Sequence, residues 1–291
     1  MPNPAVALAL PSALSLIRHR TLWTLLLALS LLWGVAVFWG LTLLLSVGVV
    51  LAPSGHAHLY AHGHPFVDAR IFWGVPNAMD VLSNLPLGLA GLMGLLMLRG
   101  KQMSPPTRHA MAVFFGGLIC ACLGSSGYHW APNASGLMLD RLGMAVTFAG
   151  ALGLALAERV GPTAAKLALP VMLASAALSA ALAYTLGNVL PWGVVQFGGM
   201  ALIAWAAWQP RLDDALGVSF TVLIGLYAVA KLCELNDEAL FHLSGEWISG
   251  HTLKHLVAAL AAWPVIATLL RQNAQALCLP ASHARSLQIT D

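Results

Sequence analysis

Apolar segments of about 20 residues recur along the chain, with only short polar breaks between them. A segment of this length, wound into an α-helix, crosses the roughly 30 Å hydrocarbon core of a bilayer. The segments do not alternate at period two, which argues against the strands of a membrane β-barrel. We therefore predict eight helices, over approximately residues 22–52, 79–98, 109–128, 139–157, 167–186, 190–208, 215–233 and 253–270.

The composition agrees with an all-α, multi-pass transmembrane helical bundle. Of the 291 residues, 59% are hydrophobic and 9% are charged, whereas about a quarter are charged in soluble proteins. The mean hydropathy is +0.79. The formal net charge is +3 and the basic residues are scattered, so no nucleic-acid partner is expected. The sequence indicates an integral membrane protein and leaves its oligomeric state open.

Lysine and arginine mark the loops that are expected to face the cytoplasm. With a cytoplasmic N terminus, basic residues follow the second, fourth, sixth and eighth spans, whereas the opposite loops carry Arg70, Arg141 and few others. We therefore expect both termini in the cytoplasm and the protein in the plasma (inner) membrane. The basic residues on the cytoplasmic side are Arg99, Lys101, Arg108, Arg159, Lys166, Arg211, Arg271 and Arg285.

These features divide the chain into four predicted regions. Residues 1–52 form a tail and an extra transmembrane helix, because their apolar part is too long for a cleaved signal peptide. Residues 53–77 form an extracytoplasmic loop, expected to be solvated, whose histidines could also collect metal. Residues 78–271 form a seven-helix domain, and residues 272–291 a cytoplasmic tail. The loop histidines are His56, His58, His62 and His64.

Two histidines four positions apart, His251 and His255, open the last span. This spacing places both on one helix face, so both imidazoles can reach one metal ion. His129 ends the third span, at the same predicted membrane depth. Three imidazoles with an open fourth position are typical of a catalytic zinc site. We predict a Zn²⁺ site of these three residues; the alternative is histidines that only form hydrogen bonds near a helix end.

Two further polar residues share this depth. Ser125 precedes His129 by one turn, and Asp140 is predicted to open the next span. A metal-bound water is acidified toward neutrality, so Asp140 could accept its proton while Ser125 donates to a developing oxyanion. Two alternatives remain open. Asp140 could be a helix cap or an ion-pair partner of Arg141, and Ser125, in a run of small residues, could serve helix packing alone.

Charged residues are also predicted around the site. Lys254 lies roughly 60° to 100° around the helix from the two histidines, so it is expected to face away from the metal. Lys231, Glu234, Asp237 and Glu238 near the end of the seventh span are predicted to form an ion-pair cluster that lines the same pocket. We expect that cluster to be structural or gating rather than catalytic.

The spacing of these residues resembles the signature of the alkaline ceramidases and of the wider CREST superfamily of seven-helix membrane hydrolases, which includes the adiponectin receptors. Ser83 and Asn84 are similar to the family's opening Ser-Asn motif. The resemblance spans about residues 75–270 and implies a CREST-type core preceded by one extra transmembrane helix. The residues that carry the main signature are Ser125, His129, Asp140, His251 and His255.

The resemblance implies that the three histidines hold zinc, with Ser125 and Asp140 completing the site. It further implies hydrolysis of the amide bond of ceramide-like lipids to a fatty acid and a sphingoid-type amine. It does not extend to calcium, because Asn77 stands where eukaryotic alkaline ceramidases have an acidic calcium ligand. The alternatives are a receptor-like or channel-like member with structural zinc, and a metal transporter. Haem binding is disfavoured because two ligands on one helix face cannot take opposite sides of a haem plane.

Overall fold

The fold is all-α, as predicted. A computed structural model of the protein describes residues 13–48 and 66–278, and within these ranges the β-structure is limited to one isolated bridge between Phe72 and Val75. The helices in chain order are α1 Ala13–Ser46, α2 Ala78–Leu82, α3 Leu85–Met97, α4 Pro105–Trp130, α5 Ala134–Arg159, α6 Pro162–Leu186, α7 Leu190–Trp208, α8 Phe220–Leu235, α9 Asp237–Leu243, α10 Gly250–Leu260 and α11 Trp263–Cys278.

Seven helices of the described chain are long and apolar enough to cross a membrane, and two of these are built from the pairs α2–α3 and α10–α11. The span predicted at residues 215–233 begins later and has 16 residues, which cover about 24 Å. It still joins the two ends of the bundle. Val218, just before α8, donates to Glu158 near the end of α5, whereas Glu234 near its own end binds Lys254 on α10.

The predicted C-terminal boundary differs from the structure. Helix α11 continues to Cys278, so it runs into the region predicted as a tail at residues 272–291. Residues 279–291 and the loop histidines His56 to His64 lie outside the described residues.

Helices α4 and α5 form the central hairpin of the bundle, and two glycines of α4 set their distance. A Cβ built on Gly117 would lie 2.6 Å from Thr147 Cα, and one on Gly124 would lie 2.6 Å from Leu139 O. No side chain fits at either contact without displacing the α5 backbone. Small residues therefore allow the close approach that membrane helices use in place of hydrophobic burial from water.

Helix α1 packs on the outside of this bundle and forms the predicted extra N-terminal span. Trp33 Nε1 donates to Ser179 Oγ at 2.8 Å, and the buried Asn188 donates through Nδ2 to Ala36 O at 2.9 Å. Most of its large apolar side chains are exposed on the bundle surface, among them Phe38 at 79%. Such a surface suits contact with lipid chains.

The helices bring the predicted site residues to one end of the bundle. We call this the histidine end, defined by His129, His251 and His255, whose ring nitrogens converge. The other end, where Arg18 hydrogen bonds to the main chain of Arg159, is called the arginine end.

The α4–α5 contact is testable with two neighbouring glycines. Gly117→Ala should lower the melting temperature, because overpacking costs about 1–3 kcal/mol. Gly116→Ala is the matched control, because its Cβ would meet nothing within 4 Å and alanine favours a helix by up to about 1 kcal/mol. Thermal unfolding of the detergent-purified proteins measures both. Equal melting temperatures would contradict the close contact.

Candidate metal centre

The three predicted histidines form a compact cluster. His129 and His255 are buried, at 1% and 4% exposure. The Nε2 atoms of His129 and His251 are 3.2 Å apart, and one ligand nitrogen from each of the three rings lies within 4.8 Å of the others. Tetrahedral zinc with Zn–N bonds of about 2.0–2.1 Å separates its ligands by roughly 3.3 Å, so small ring movements complete the site.

The geometry indicates a three-histidine metal site but does not specify which metal binds there. Imidazole nitrogen suits zinc, copper, iron and nickel. The prediction that these histidines could hold a metal ion is confirmed, and zinc remains the expectation from the ligand set.

A buried carboxylate on α2 anchors the start of the helix that carries two of the histidines. Ser249 caps α10 by accepting from Thr252 N at 3.0 Å. The Thr252 hydroxyl donates to Asp80 Oδ1 at 2.7 Å, and Ser249 Oγ lies 3.4 Å from the same oxygen. Asp80 is fully buried, so the anchor fixes α10 against α2. This anchoring role of Asp80 is not predicted from the sequence.

Ser83, one turn further along the chain, orients His255. Its hydroxyl lies 2.8 Å from His255 Nδ1 and 3.2 Å from the Asp80 carbonyl oxygen. That carbonyl can only accept, so Ser83 donates to it and accepts from Nδ1–H. The lone pair of His255 is then on Nε2, the nitrogen that faces Ser125 at 3.5 Å. A hydrogen bond to the other ring nitrogen commonly fixes a metal-binding histidine in this way.

Ser125 and Asp140 lie beside the cluster. Ser125 is 4% exposed and its hydroxyl lies 3.5 Å from His255 Nε2, whereas Asp140 belongs to α5. Both line the same cavity as His255. Ser125 therefore contacts a functional group of the site in addition to packing between helices.

The position of Asp140 in its helix differs from the prediction. Helix α5 begins at Ala134, and its cap is Asn133, whose Oδ1 accepts from Gly136 N at 2.7 Å. Asp140 is therefore in the second turn and caps nothing. Within the described chain its carboxylate forms no ion pair with Arg141 within 4.0 Å. The cap alternative is thus wrong, whereas Arg141 still interacts electrostatically with Asp140 from a longer distance.

The segment before α2 reaches the cluster at its two ends, Phe66 and Asn77, which are buried, whereas residues 71–74 between them are exposed, as in a solvated loop. Phe66 is 5% exposed, and its ring centroid lies 4.4 Å from that of His129 and 5.8 Å from that of His251. Asn77 Nδ2 donates to His129 O at 2.8 Å. This contact between tilted aromatic rings could not be predicted from the sequence, because Phe66 is 63 positions from His129.

An ion pair holds this segment in place. Arg70 binds both carboxylate oxygens of the buried Asp68, at 2.7 and 2.6 Å. Its Nη2 also donates to Trp247 O at 2.9 Å, which lies two residues before the α10 cap. Two-point binding of a carboxylate by a guanidinium restricts geometry more than a single contact does. The segment is thereby fixed to the loop that leads into α10.

The expectation that Lys254 faces away from the site is wrong. Its Nζ lies 2.8 Å from His251 Nε2 and 3.2 Å from Glu234 Oε1. The flexible four-carbon stem of lysine carries the ammonium back along the helix, which a helical-wheel angle does not include. Binding of a metal at His251 Nε2 requires Lys254 to withdraw toward Glu234.

The predicted ion-pair cluster is confirmed in part. Glu234 binds Lys231 as well as Lys254. Asp237 instead accepts from the main-chain N–H of His251 at 2.7 Å. Burial raises the pKa of the Asp237 carboxyl, and the hydrogen bond from His251 opposes that shift. Glu238 is exposed and lies 3.8 Å from His242, so it does not pair with Lys231 or Lys254, although it lines the same pocket as the other three residues.

Two adjoining cavities meet at the site. The outer one, of about 560 Å³, is lined by His129, His251 and charged side chains. The inner one, of about 140 Å³, has Ser125 and His255 at its wall and is otherwise mainly apolar. The residues that line both are Asp140, Met144, Gln196, Lys231, Glu234 and Lys254.

Comparison of the chain with protein-family models, curated proteins and solved structures finds no match.

Metal analysis tests the cluster directly. We expect about one zinc ion per chain in purified protein, because three imidazoles converge on one point. Single changes of His129, His251 or His255 to Ala should each remove most of it. His242→Ala is the control, because that imidazole is exposed near the same end of the bundle. Unchanged metal content in all three site variants would show that the assignment is wrong.

Ser83→Ala tests the orientation of His255. Loss of the hydrogen bond to Nδ1 should weaken metal affinity about 10- to 100-fold, as found when such outer partners are removed. Ser83→Thr keeps the hydroxyl and should restore the affinity. The control is Ser126→Ala, whose hydroxyl donates only to a main-chain carbonyl 3.3 Å away. Competition with a chromogenic chelator gives the affinity. A Ser83→Ala protein with wild-type affinity would contradict this role.

Proposed function

We propose that the protein is a zinc-dependent intramembrane hydrolase that cleaves the amide bond of ceramide-like lipids to a fatty acid and a sphingoid-type amine. The observation that carries the proposal is the placement of Ser125 and Asp140 beside the three histidines, where a polar and an apolar cavity adjoin. A structural zinc site is normally closed by four protein ligands. A structural site therefore does not require a neighbouring carboxylate, such as Asp140, that lines a cavity.

The two cavities favour an amphipathic substrate. The inner one offers Leu87, Phe114, Leu118 and Phe148 to an apolar chain, whereas the outer one offers charged and hydrogen-bonding groups to a polar head. A bond between these two parts of a lipid would then lie at Asp140. The choice of an amide, and of a sphingoid-type amine, is supported by the resemblance to the alkaline ceramidases.

The described side chains suit the steps of amide hydrolysis. A bound zinc ion would supply the Lewis acid that makes water nucleophilic near neutral pH. Asp140 accepts a proton from the attacking water as the new C–O bond forms, and passes it to the nitrogen as the C–N bond breaks. Ser125 donates to the carbonyl oxygen as it gains negative charge.

The lysine and arginine distribution supports a site near the extracytoplasmic face. In that orientation the histidine end opens toward the outer leaflet, and both termini lie in the cytoplasm. A lipid of the outer leaflet could then enter with its acyl chain in the inner cavity and its polar head in the outer cavity.

Asp140→Asn separates hydrolysis from metal binding. The change keeps the size of the side chain but removes its ability to accept a proton, so turnover should fall about 100- to 10,000-fold. Metal content should stay at the wild-type level, because Asp140 is outside the three-histidine cluster. The assay is fatty acid release from a panel of ceramides in mixed micelles, at matched zinc content and melting temperature.

Asp213→Asn is the matched control, because that carboxylate is exposed in the loop before α8 and should leave turnover unchanged. An equally active Asp140→Asn protein would remove Asp140 from the mechanism. Absence of wild-type turnover on every acylated sphingoid lipid would favour the receptor-like alternative.

A further inference from the structure

We propose a second lipid site at the arginine end of the bundle, which binds an anionic phospholipid with its phosphate at Arg18, Arg159 and Arg211 and one acyl chain in the cavity beneath α1. This site is separate from the histidine cluster and does not depend on the proposed hydrolase activity.

Three guanidinium groups gather where α1, α5 and the loop after α7 meet. Arg18 Nη1 donates to Arg159 O at 2.7 Å, and Arg159 Nη1 donates to Gln209 O at 2.7 Å. A Cβ on Gly217 would lie 3.2 Å from Arg211 Nη1, which places this third group beside the chain that leads into α8. Arg211 and Arg159 are close enough to repel each other.

The positive charge of this group is not balanced by ion pairs. In residues 13–48 and 66–278, none of the three guanidinium groups lies within 4.0 Å of a carboxylate oxygen. The nearby Glu158 accepts from Val218 N at 3.0 Å and interacts electrostatically with Arg159 and Arg211, so this one carboxylate offsets only part of the charge of the three arginines.

Donors of these arginines also remain available. The Nε atoms of Arg18 and Arg159 are buried and have no hydrogen-bond partner. The whole Arg159 residue is also buried, at 7% exposure. A buried donor without a partner is costly, so an anion at this place would be stabilised. Charge and hydrogen bonding both favour a phosphate.

An apolar cavity of about 360 Å³ lies deeper in the membrane between α1, α5, α6 and α7. Its nearest lining residues, Leu26 on α1 and Leu152 on α5, are about 10–12 Å from the level of Arg18 and Arg159 by helical rise. Gly34 marks its deep end, about 24 Å from the same level. The cavity therefore follows the direction and depth of a lipid chain whose phosphate is at the arginines.

The two features together identify the ligand class. Anionic lipids are concentrated in the cytoplasmic leaflet, and basic pockets between transmembrane helices are known to bind their head groups. The predicted topology puts the arginine end in that leaflet. A soluble phosphate would use the arginines but leave the cavity without an occupant, so the phospholipid accounts for both.

Titration of the full-length protein in detergent with phosphatidylglycerol or phosphatidylcholine of the same chains tests the proposal. Native mass spectrometry gives the bound fraction. We expect tighter binding of phosphatidylglycerol, and a loss of about fivefold in that preference for Arg18→Gln and for Arg211→Gln. Arg99→Gln is the matched control, because it removes the same charge from an exposed position at the same end of the bundle.

A cavity-filling change tests where the chain lies. Ser30 lines the cavity, so Ser30→Trp should weaken phosphatidylglycerol binding severalfold, whereas Leu31→Trp, at an adjacent position that is also exposed but does not line the cavity, should not. Inorganic phosphate should compete poorly. The proposal is overturned if phosphatidylglycerol binds no better than phosphatidylcholine or phosphate, if Arg211→Gln behaves like Arg99→Gln, or if Ser30→Trp binds like the wild type.

Discussion

The hydrogen bond from Thr252 to the buried carboxylate of Asp80 connects the first and last helices of the core, and the histidine cluster depends on it. The bond sets the rotation and depth of α10, so His251 and His255 face His129 rather than another neighbour. Inside a membrane a carboxylate without partners is very costly. Its two hydroxyl contacts therefore favour this docking of α10 over slipped arrangements.

The close α4–α5 contact completes the same geometry from the other side. His129 and Ser125 are on α4, and Asp140 is on α5. Since Gly124 lets the two backbones approach, Ser125 and Asp140 line the same cavity. A site made of short side chains, such as serine and aspartate, requires helices that lie this close. The glycines thus connect membrane packing to site geometry.

Much of the fold could be predicted from sequence, because hydropathy depends on local composition and the bilayer sets the length. The HxxxH pair could also be predicted, because its geometry lies within one helix. Phe66 and Asp80 gave no comparable signal, since their contacts join distant segments. The direction of the Lys254 side chain cannot be predicted from a helical-wheel angle, because that angle ignores side-chain length. The position of Asp140 in its helix differs from the prediction because hydropathy places the start of α5 too late.

The attachment of α1 has a consequence for assembly. Within the hydrocarbon depth, α1 is joined to the bundle by the Trp33–Ser179 and Asn188–Ala36 hydrogen bonds, whereas the core helices α4 and α5 are joined by backbone-close packing. Insertion and lateral association are separable stages for membrane helices. We therefore expect the first helix to enter the membrane to be among the last to dock, because its partners Ser179 and Asn188 are synthesised 146 and 152 residues after the α1 residues that they bind. Chain order and docking order would then run in opposite directions.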